Sequence, residues 1–283
     1  MVRHLEELIA KTTELSSLPS TTLRLMNLLD DETVEAGKVL EVIEKDPSLT
    51  SNLLKLANSA FYGVRRQVGS AREALVMLGN RTVVNLAFAA SMGDILRGPL
   101  ASYRLDRGQM WHHALGTALG ASHLANLTGC RMTSERAFTA GLVHDIGKLI
   151  LNRPLREHLE QLPVDGSMEE LLAAETAILG FNHAEAGARL GEEWNFPAYL
   201  VETIARHHHG WQEAEEVALV KAVAAANLVT SHVGLGGGSG DLDSDDLRIA
   251  CEAMGYSADD LETLAGKLPG DLGSLLSVLG ESR

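Results

Sequence analysis

The chain has 283 residues and a formal net charge of −14; apolar residues make up 45% of it and aromatic residues 4%. An acidic chain is a poor partner for nucleic acid or an anionic membrane surface, because both attract clustered Lys and Arg. No run approaches the ~18 uninterrupted apolar residues of a membrane span, and the charged N-terminus lacks the apolar run of a signal peptide. Few aromatic residues with abundant Leu and Ala favour helices over sheets. We therefore expect a cytoplasmic, all-α protein.

The first half of the chain carries a succession of helical patterns. An amphipathic helix is predicted within residues 1–17, followed by helices at residues 23–29 and 39–45. Asp46-Pro47 predicts the next helix start, since an acidic N-cap followed by proline is typical of one. Ser70 and Glu73 have the spacing of a capping box, and they open a helix that Gly79 ends and whose apolar face includes Val76. A helix at residues 81–92 then leads to a boundary near Gly98-Pro99.

The second half is also predicted to be helical. Helices are expected at residues 110–125, 135–143, 147–151, 167–179, 182–194, 197–207 and 217–232. The glycine-rich residues 234–240 predict a linker, and short helices at 245–254, 259–268 and 272–279 follow it. We predict one domain over residues 1–233, with halves at 1–105 and 106–233, and a C-terminal extension at 234–283.

Histidine and one aspartate gather at a few places in the second half. Seven of the eleven histidines fall in four clusters on or at the ends of predicted helices: His112-His113, His144 beside Asp145, His183, and His207-His208-His209. Helical bundles build metal sites from side chains of several helices, and imidazole with carboxylate suits Fe, Mn, Zn or Ni better than Ca or Mg. The clusters indicate a site for one or two divalent transition-metal ions, with Asp145 as the ligand that would bridge two.

Each cluster also has an interpretation without a metal. His112-His113 fits a surface pair, and His183 fits a solvated residue at a helix start. The run 207–209 fits an exposed helix end, where cations suit the helix dipole. His144-Asp145, between two apolar runs, fits a neutral histidine bonded to a buried carboxylate. The spacing of the clusters leaves both interpretations open.

Several short motifs resemble those of the HDOD branch of the HD superfamily. His144-Asp145 matches the doublet that gives the superfamily its name. The other matching segments are Leu18-Pro19, Asp46-Pro47-Ser48-Leu49, Leu56-Ala57-Asn58-Ser59-Ala60-Phe61, residues 74–79 and Trp111-His112-His113. The resemblance covers residues 14–232 and implies a bacterial, multi-helix protein whose N-terminal helical half packs on an HD-like helical half. HDOD proteins are mostly signalling or regulatory modules, so it also implies other signalling proteins as partners.

The second half is similar to the HD-GYP phosphodiesterases, which cleave cyclic di-GMP at a metal centre. The resemblance implies six metal ligands: His113, His144, Asp145, His183, His207 and His208. Lys148 stands where those enzymes place a lysine near the substrate phosphate. Lys148 and Asp145 are therefore the candidate catalytic residues if the protein is an enzyme.

Three departures from the HD-GYP pattern count against catalysis. After the histidine pair the chain reads His209-Gly210-Trp211-Gln212, so the GYP sequence is absent. Asn227 stands where HD hydrolases have a final aspartate, and Gln109 where some relatives have a metal-binding glutamate. We therefore expect a non-catalytic regulatory module that retains a metal site. The alternative is a metal-dependent phosphohydrolase or phosphodiesterase acting on a nucleotide or cyclic dinucleotide.

Overall fold

The structure, a computed structural model, describes residues 5–6, 8, 19–29, 31, 33–127, 131–163, 167–236 and 244–281. Within these ranges the regular elements are helices, and no strand is present. The helices are α1 (Ser20–Leu29), α2 (Ala36–Ile43), α3 (Pro47–Ala57), α4 (Ala71–Leu78), α5 (Asn80–Leu96), α6 (Gln109–Asn126), α7 (Arg131–Val143), α8 (Gly147–Leu155), α9 (Met168–Leu179), α10 (His183–Glu193), α11 (Ala198–Arg206), α12 (Val217–His232), α13 (Ser244–Ala253) and α14 (Ala258–Leu279). The prediction of an all-α fold is confirmed. The helix predicted within residues 1–17 falls mostly outside the described residues.

Predicted caps set several of the helix starts. Asp46 accepts a hydrogen bond from the Leu49 backbone N–H at 3.0 Å, ahead of a proline at the first position of α3. Ser167 and Asn182 open α9 and α10 with complete capping boxes. Each box satisfies backbone N–H groups that have no partner inside the helix. These caps fix where α10 begins, and its first residue is His183.

Helix α4 differs from the prediction in two details. Ser70 accepts from the Glu73 backbone N–H, but the Glu73 carboxylate accepts from Gly69 rather than from Ser70. Val76, predicted to be on the apolar face, is 82% exposed. The buried face of this helix consists of Ala71, Ala74 and Leu75. The buried face is therefore shifted by about one residue from the predicted apolar face.

Helices α5, α8 and α14 run further than their glycines and prolines suggest. Helix α5 continues through Gly93 to Leu96, and α8 contains Pro154. The helices predicted at 259–268 and 272–279 are one helix, α14, with Pro269 inside it. Proline in a helix interior costs about 3 kcal/mol. The buried apolar stripe of α14 offsets this cost; it comprises Leu261, Leu264, Leu268, Leu272, Leu275 and Leu276.

Helix α6 lies at the centre of the second half, between α7 and α12. Small residues allow its close packing: a Cβ on Gly141 would lie 2.8 Å from Ala118 Cα, and one on Gly120 would lie 3.1 Å from Ala226 Cβ. The N-terminal helices reach this bundle through α5, which packs on α7. Helix α14 returns to pack on α6 and α3. None of the described helices is long and apolar enough to cross a membrane.

Candidate metal centre

The six ligands implied by the sequence resemblance meet at one place in the second half. His113 lies on α6, His183 begins α10, His144-Asp145 lies in the turn between α7 and α8, and His207-His208 follows α11 directly. Their donor atoms form two groups that share Asp145. One group is His113, His144 and Asp145, and the other is Asp145, His183, His207 and His208; within each group the atoms lie within 4.8 Å of one another.

This cluster is buried. Of the candidate ligands other than His208, His113 is the most exposed at 8%, and His144 and His183 are 0% exposed. His208 is partly exposed, whereas His209 is exposed. The fold therefore buries His113, His183 and His207, and the interpretation in which these residues are solvated does not apply.

Two glycines hold the His-Asp doublet against α10. A Cβ on Gly147 would overlap the backbone carbonyl oxygen of His183 and lie 2.6 Å from the Gly187 nitrogen. A Cβ on Gly187 would lie 2.9 Å from the Gly147 nitrogen. Helices α8 and α10 thus touch backbone to backbone, two residues after Asp145. This contact sets the separation between the doublet and His183.

The ring orientations of His144 and His207 leave one nitrogen of each without a partner. His144 Nδ1 donates to the Gly141 carbonyl at 2.7 Å, and His207 Nδ1 donates to the Ile204 carbonyl at 2.8 Å. Burial lowers the pKa of both rings, so they are neutral and each Nε2 carries a lone pair. Neither Nε2 has a hydrogen-bond partner.

Those lone pairs face the Asp145 carboxylate. His144 Nε2 lies 3.4 Å from Asp145 Oδ2, and His207 Nε2 lies 3.5 Å from Asp145 Oδ1. Asp145 Oδ1 also lacks a hydrogen-bond donor. Buried electron-pair donors that face one another without a shared proton are costly unless a cation compensates. The residues present therefore fit a divalent metal ion between Asp145 and the imidazoles.

Glu175 orients His183 and was not anticipated from the sequence. His183 donates to the Glu175 carboxylate from Nδ1 and from its backbone N–H, each at 2.8 Å, and the Tyr103 hydroxyl donates to the same carboxylate at 2.7 Å. His183 Nε2 then lies 3.3 Å from Asp145 Oδ1 and 2.9 Å from His208 Nε2. Burial acts to lower the pKa of His183, but the Glu175 carboxylate outweighs it and the pKa is raised. A carboxylate behind a histidine in this way is typical of metal ligands.

The sequence did contain one signal for Glu175. It lies three residues after buried Leu172 on α9, at a position of the apolar stripe, and it is 0% exposed. An acid on an apolar stripe needs a partner. The partner is eight residues away, across the turn between α9 and α10, so helical spacing alone does not identify it.

Lys148 provides the positive charge next to Asp145. Its Nζ donates to Asp145 Oδ2 at 2.6 Å and lies 5.8 Å from the centre of the Tyr103 ring. Burial acts to raise the pKa of the Asp145 carboxyl, but Lys148 and the adjacent histidines outweigh it and hold that pKa well below its usual range. Asp145 is therefore ionised and available as a ligand.

Asn227 lies at the His113 end of the cluster. Its Oδ1 is 2.9 Å from His113 Nε2, and His113 Nε2 is 3.7 Å from Asp145 Oδ2. The amide therefore stands beside the donor group, at the position where the resemblance expects a carboxylate. Gln109 is placed differently: its side chain accepts from the Asp106 backbone N–H at the start of α6.

Replacing Glu175 with Gln is expected to weaken metal binding about 10- to 100-fold, the usual effect of removing an outer partner of a ligating histidine. The amide loses the charge that favours the Nδ1–H form of His183. Glu169→Gln, an exposed acid on the same helix, is the matched control and should bind like the wild type. Competition with a metallochromic chelator measures both, and equal affinities would show that Glu175 has no part in metal binding.

The fold and the site together define a class of protein: a helical bundle with a buried His-Asp cluster where its helices meet. The HDOD domain family model matches residues 15–210. The chain belongs to the HDOD family, as its sequence motifs indicated.

Solved structures show the same fold. An HDOD domain protein of unknown function from Geobacter sulfurreducens has a TM-score of 0.74 at 24% identity, over 96% of this chain and 98% of that chain. A protein from Marinobacter aquaeolei VT8, described as "Putative signal transduction protein", has a TM-score of 0.75 at 21% identity, over 98% of this chain and 64% of that chain. At these identities the likeness concerns the fold alone.

Two relatives are more similar in sequence. The structure of a "Putative phosphohydrolase" from Shewanella amazonensis SB2B has a TM-score of 0.71 at 26% identity, over 96% of this chain and 97% of that chain. An uncharacterized protein of Treponema pallidum (strain Nichols) is 29% identical over 218 residues. That match covers 76% of this chain and 42% of the relative, so the chain spans less than half of the relative's length.

Proposed function

We propose that the protein is a bacterial regulatory module of HDOD type that binds other signalling proteins and is held in shape by a divalent transition-metal ion, or two, at Asp145. The observation that carries this proposal is the burial of the cluster. Imidazole side chains from α6, α10, the α7–α8 turn and the end of α11 surround the Asp145 carboxylate, which is almost completely buried. Such a cluster suits a role in tying helices together better than one in receiving a large substrate.

The residues that would hold the ion are the two groups that share Asp145. Imidazoles and one carboxylate suit Fe, Mn, Zn or Ni. A ligand that binds only the native state stabilises it in proportion to its affinity and concentration. The ion would therefore link α6, the α7–α8 turn, α10 and the end of α11, which are separate in the chain.

Elemental analysis of the purified protein tests this proposal. We expect bound transition metal in the wild type, its loss in Asp145→Ala, which removes the residue that both donor groups share, and its retention in His209→Ala. The last variant is the matched control, because His209 is an exposed histidine next to the cluster. Removal of the metal with a chelator should lower the melting temperature of the wild type and leave that of Asp145→Ala unchanged. A metal-free wild type would overturn the proposal.

A second candidate function is metal-dependent phosphohydrolysis, and Lys148 favours it. A buried ammonium group beside the central carboxylate is placed to balance phosphate charge. A bound divalent ion would polarise a phosphoryl group and acidify a water molecule. The likeness to the Shewanella protein at 26% identity points the same way.

Turnover separates the two candidates. The metal-loaded wild type should leave cyclic di-GMP and a generic phosphodiester unchanged in the presence of added Mn or Fe. If the protein does turn over either substrate, Lys148→Ala should abolish activity while the metal content stays at the wild-type level. Lys45→Ala, which breaks only an exposed pair with Glu41, is the control for that comparison.

A further inference from the structure

We infer that the segment after α12, residues 233–236, positions His113 for metal binding, so that docking of this segment and loading of the metal site stabilise each other. The inference rests on the metal binding proposed above. It assigns a role to a part of the chain that lies beyond residues 15–210, the region that matches the family model.

The first observation is the partner of the His113 ring. His113 Nδ1 lies 3.3 Å from the backbone carbonyl oxygen of Leu235, and Nε2 lies 2.9 Å from Asn227 Oδ1 and 3.7 Å from Asp145 Oδ2. A carbonyl oxygen only accepts, so the Leu235 carbonyl favours the tautomer with its proton on Nδ1, in which the Nε2 lone pair is free for a metal. His144 and His207 are oriented by carbonyls three residues earlier in their own turns. The carbonyl that orients His113 is 122 residues away. This ring therefore depends on a distant segment staying in place.

The second observation is the close seating of that segment on α6. Gly236 has a φ of +88°, and a Cβ there would overlap the Cβ of His113 and lie 2.7 Å from the Gln109 carbonyl oxygen. Leu235 donates its backbone N–H to the Thr230 carbonyl at 3.1 Å. A Cβ on Gly116 of α6 would lie 3.6 Å from Leu235 Cδ1. Only glycine at position 236 lets the backbone approach His113 this closely.

The third observation is that the far end of the extension also contacts α6 and its neighbours. Helix α14 packs on α6. The Glu281 carboxylate after α14 accepts from Arg97 Nε at 3.0 Å and from Arg97 Nη2 at 2.7 Å. The same guanidinium lies 4.9 Å from the Trp111 ring centre, and His112 Nε2 lies 3.5 Å from Glu281 Oε2. The extension thus contacts His112, directly before His113, as well as His113 itself.

Thermodynamic linkage connects these contacts to the metal. If the docked segment raises the affinity of the site, bound metal must oppose undocking by the same factor. Outer partners of ligating histidines typically contribute about 10- to 100-fold in metal affinity. The Leu235 carbonyl is such a partner, and it is a backbone group, so it is displaced by moving the segment rather than by changing a side chain.

Gly236→Ala tests the inference, with Gly234→Ala as the matched control. Both glycines have positive φ, +88° and +72°, so both variants carry backbone strain, but a Cβ at position 234 meets nothing within 4 Å. Chelator competition with Zn should show affinity at least about 10-fold weaker in Gly236→Ala, and close to wild type in Gly234→Ala. Wild-type affinity in a folded Gly236→Ala protein would overturn the inference while leaving metal binding intact.

Hydrogen exchange in the wild-type protein gives a second readout that needs no variant. The Gly234 and Leu235 amides, bonded to the Ser231 and Thr230 carbonyls, report on the segment directly. Their exchange should slow when Zn is added to the metal-free protein. Unchanged exchange with metal bound would overturn the coupling even if Gly236→Ala does not fold. A wild type that binds none of Fe, Mn, Zn and Ni would defeat the proposed function first, and the inference with it.

Discussion

Asp145→Asn should abolish metal binding at both donor groups, with a loss of affinity beyond the ~10- to 100-fold that an outer partner contributes. Asp145 is the one residue that the two groups share, and its oxygens face imidazole nitrogens on both sides at 3.3–3.7 Å. Asparagine keeps the shape of the side chain and removes the charge. Elemental analysis and calorimetric titration with Zn measure the effect.

The control for this variant is Lys148→Met. Lys148 pairs with Asp145, so Asp145→Asn also leaves a buried ammonium without its counter-charge, which destabilises a fold. Lys148→Met removes the ammonium and leaves the carboxylate, and it should retain metal. If Asp145→Asn binds metal as the wild type does, Asp145 is not a ligand and the ion is not held between Asp145 and the imidazoles.

Gly147→Ala should lower the free energy of unfolding by about 3 kcal/mol or more, in the range caused by severe overpacking. The added Cβ would overlap the His183 carbonyl oxygen and approach the Gly187 nitrogen. Both are backbone atoms of α10, so no side-chain rotation relieves the clash. Chemical denaturation in the presence of a chelator measures the effect on the fold separately from any effect on metal binding.

Gly266→Ala is the matched control for this prediction. Gly266 is an exposed residue inside α14, and a Cβ there would meet nothing within 4 Å. Alanine in a helix interior should raise stability by about 0.4–1 kcal/mol. Equal stabilities of the two variants would mean that α8 and α10 can separate at little cost, and that the Gly147 contact does not fix the doublet.

The sequence predicted the helices well where a local signal decides their ends. The N-caps Asp46, Ser167 and Asn182 mark starts that depend only on residues three positions apart. Pro269 misled the prediction because its local cost is outweighed by the packing of α14 on α6. That packing joins distant parts of the chain, and no local pattern reports it.

In the candidate site, too, some residues could be predicted from the sequence and others could not. The side chains that meet at Asp145 were named through resemblance to a motif, and the fold brings them together. Glu175 and the Leu235 carbonyl were missed. The Leu235 contribution comes from backbone, which carries no residue-type signal at all. Outer partners of a site are therefore harder to read from a single sequence than the side chains at its centre.

The donors of the cluster come from distant parts of the chain, and this has a consequence for the folding of the protein and for its lifetime. Its donors come from residue 113 to residue 208, and each neighbouring set is separated by a helix or more. Contacts of such long sequence separation slow folding, because the loops between them must close before the contacts can stabilise the chain. The ion would bind after the second half has assembled, and it would have to leave before that half comes apart. Metal supply during synthesis would then act on the lifetime of the folded protein, by slowing its unfolding.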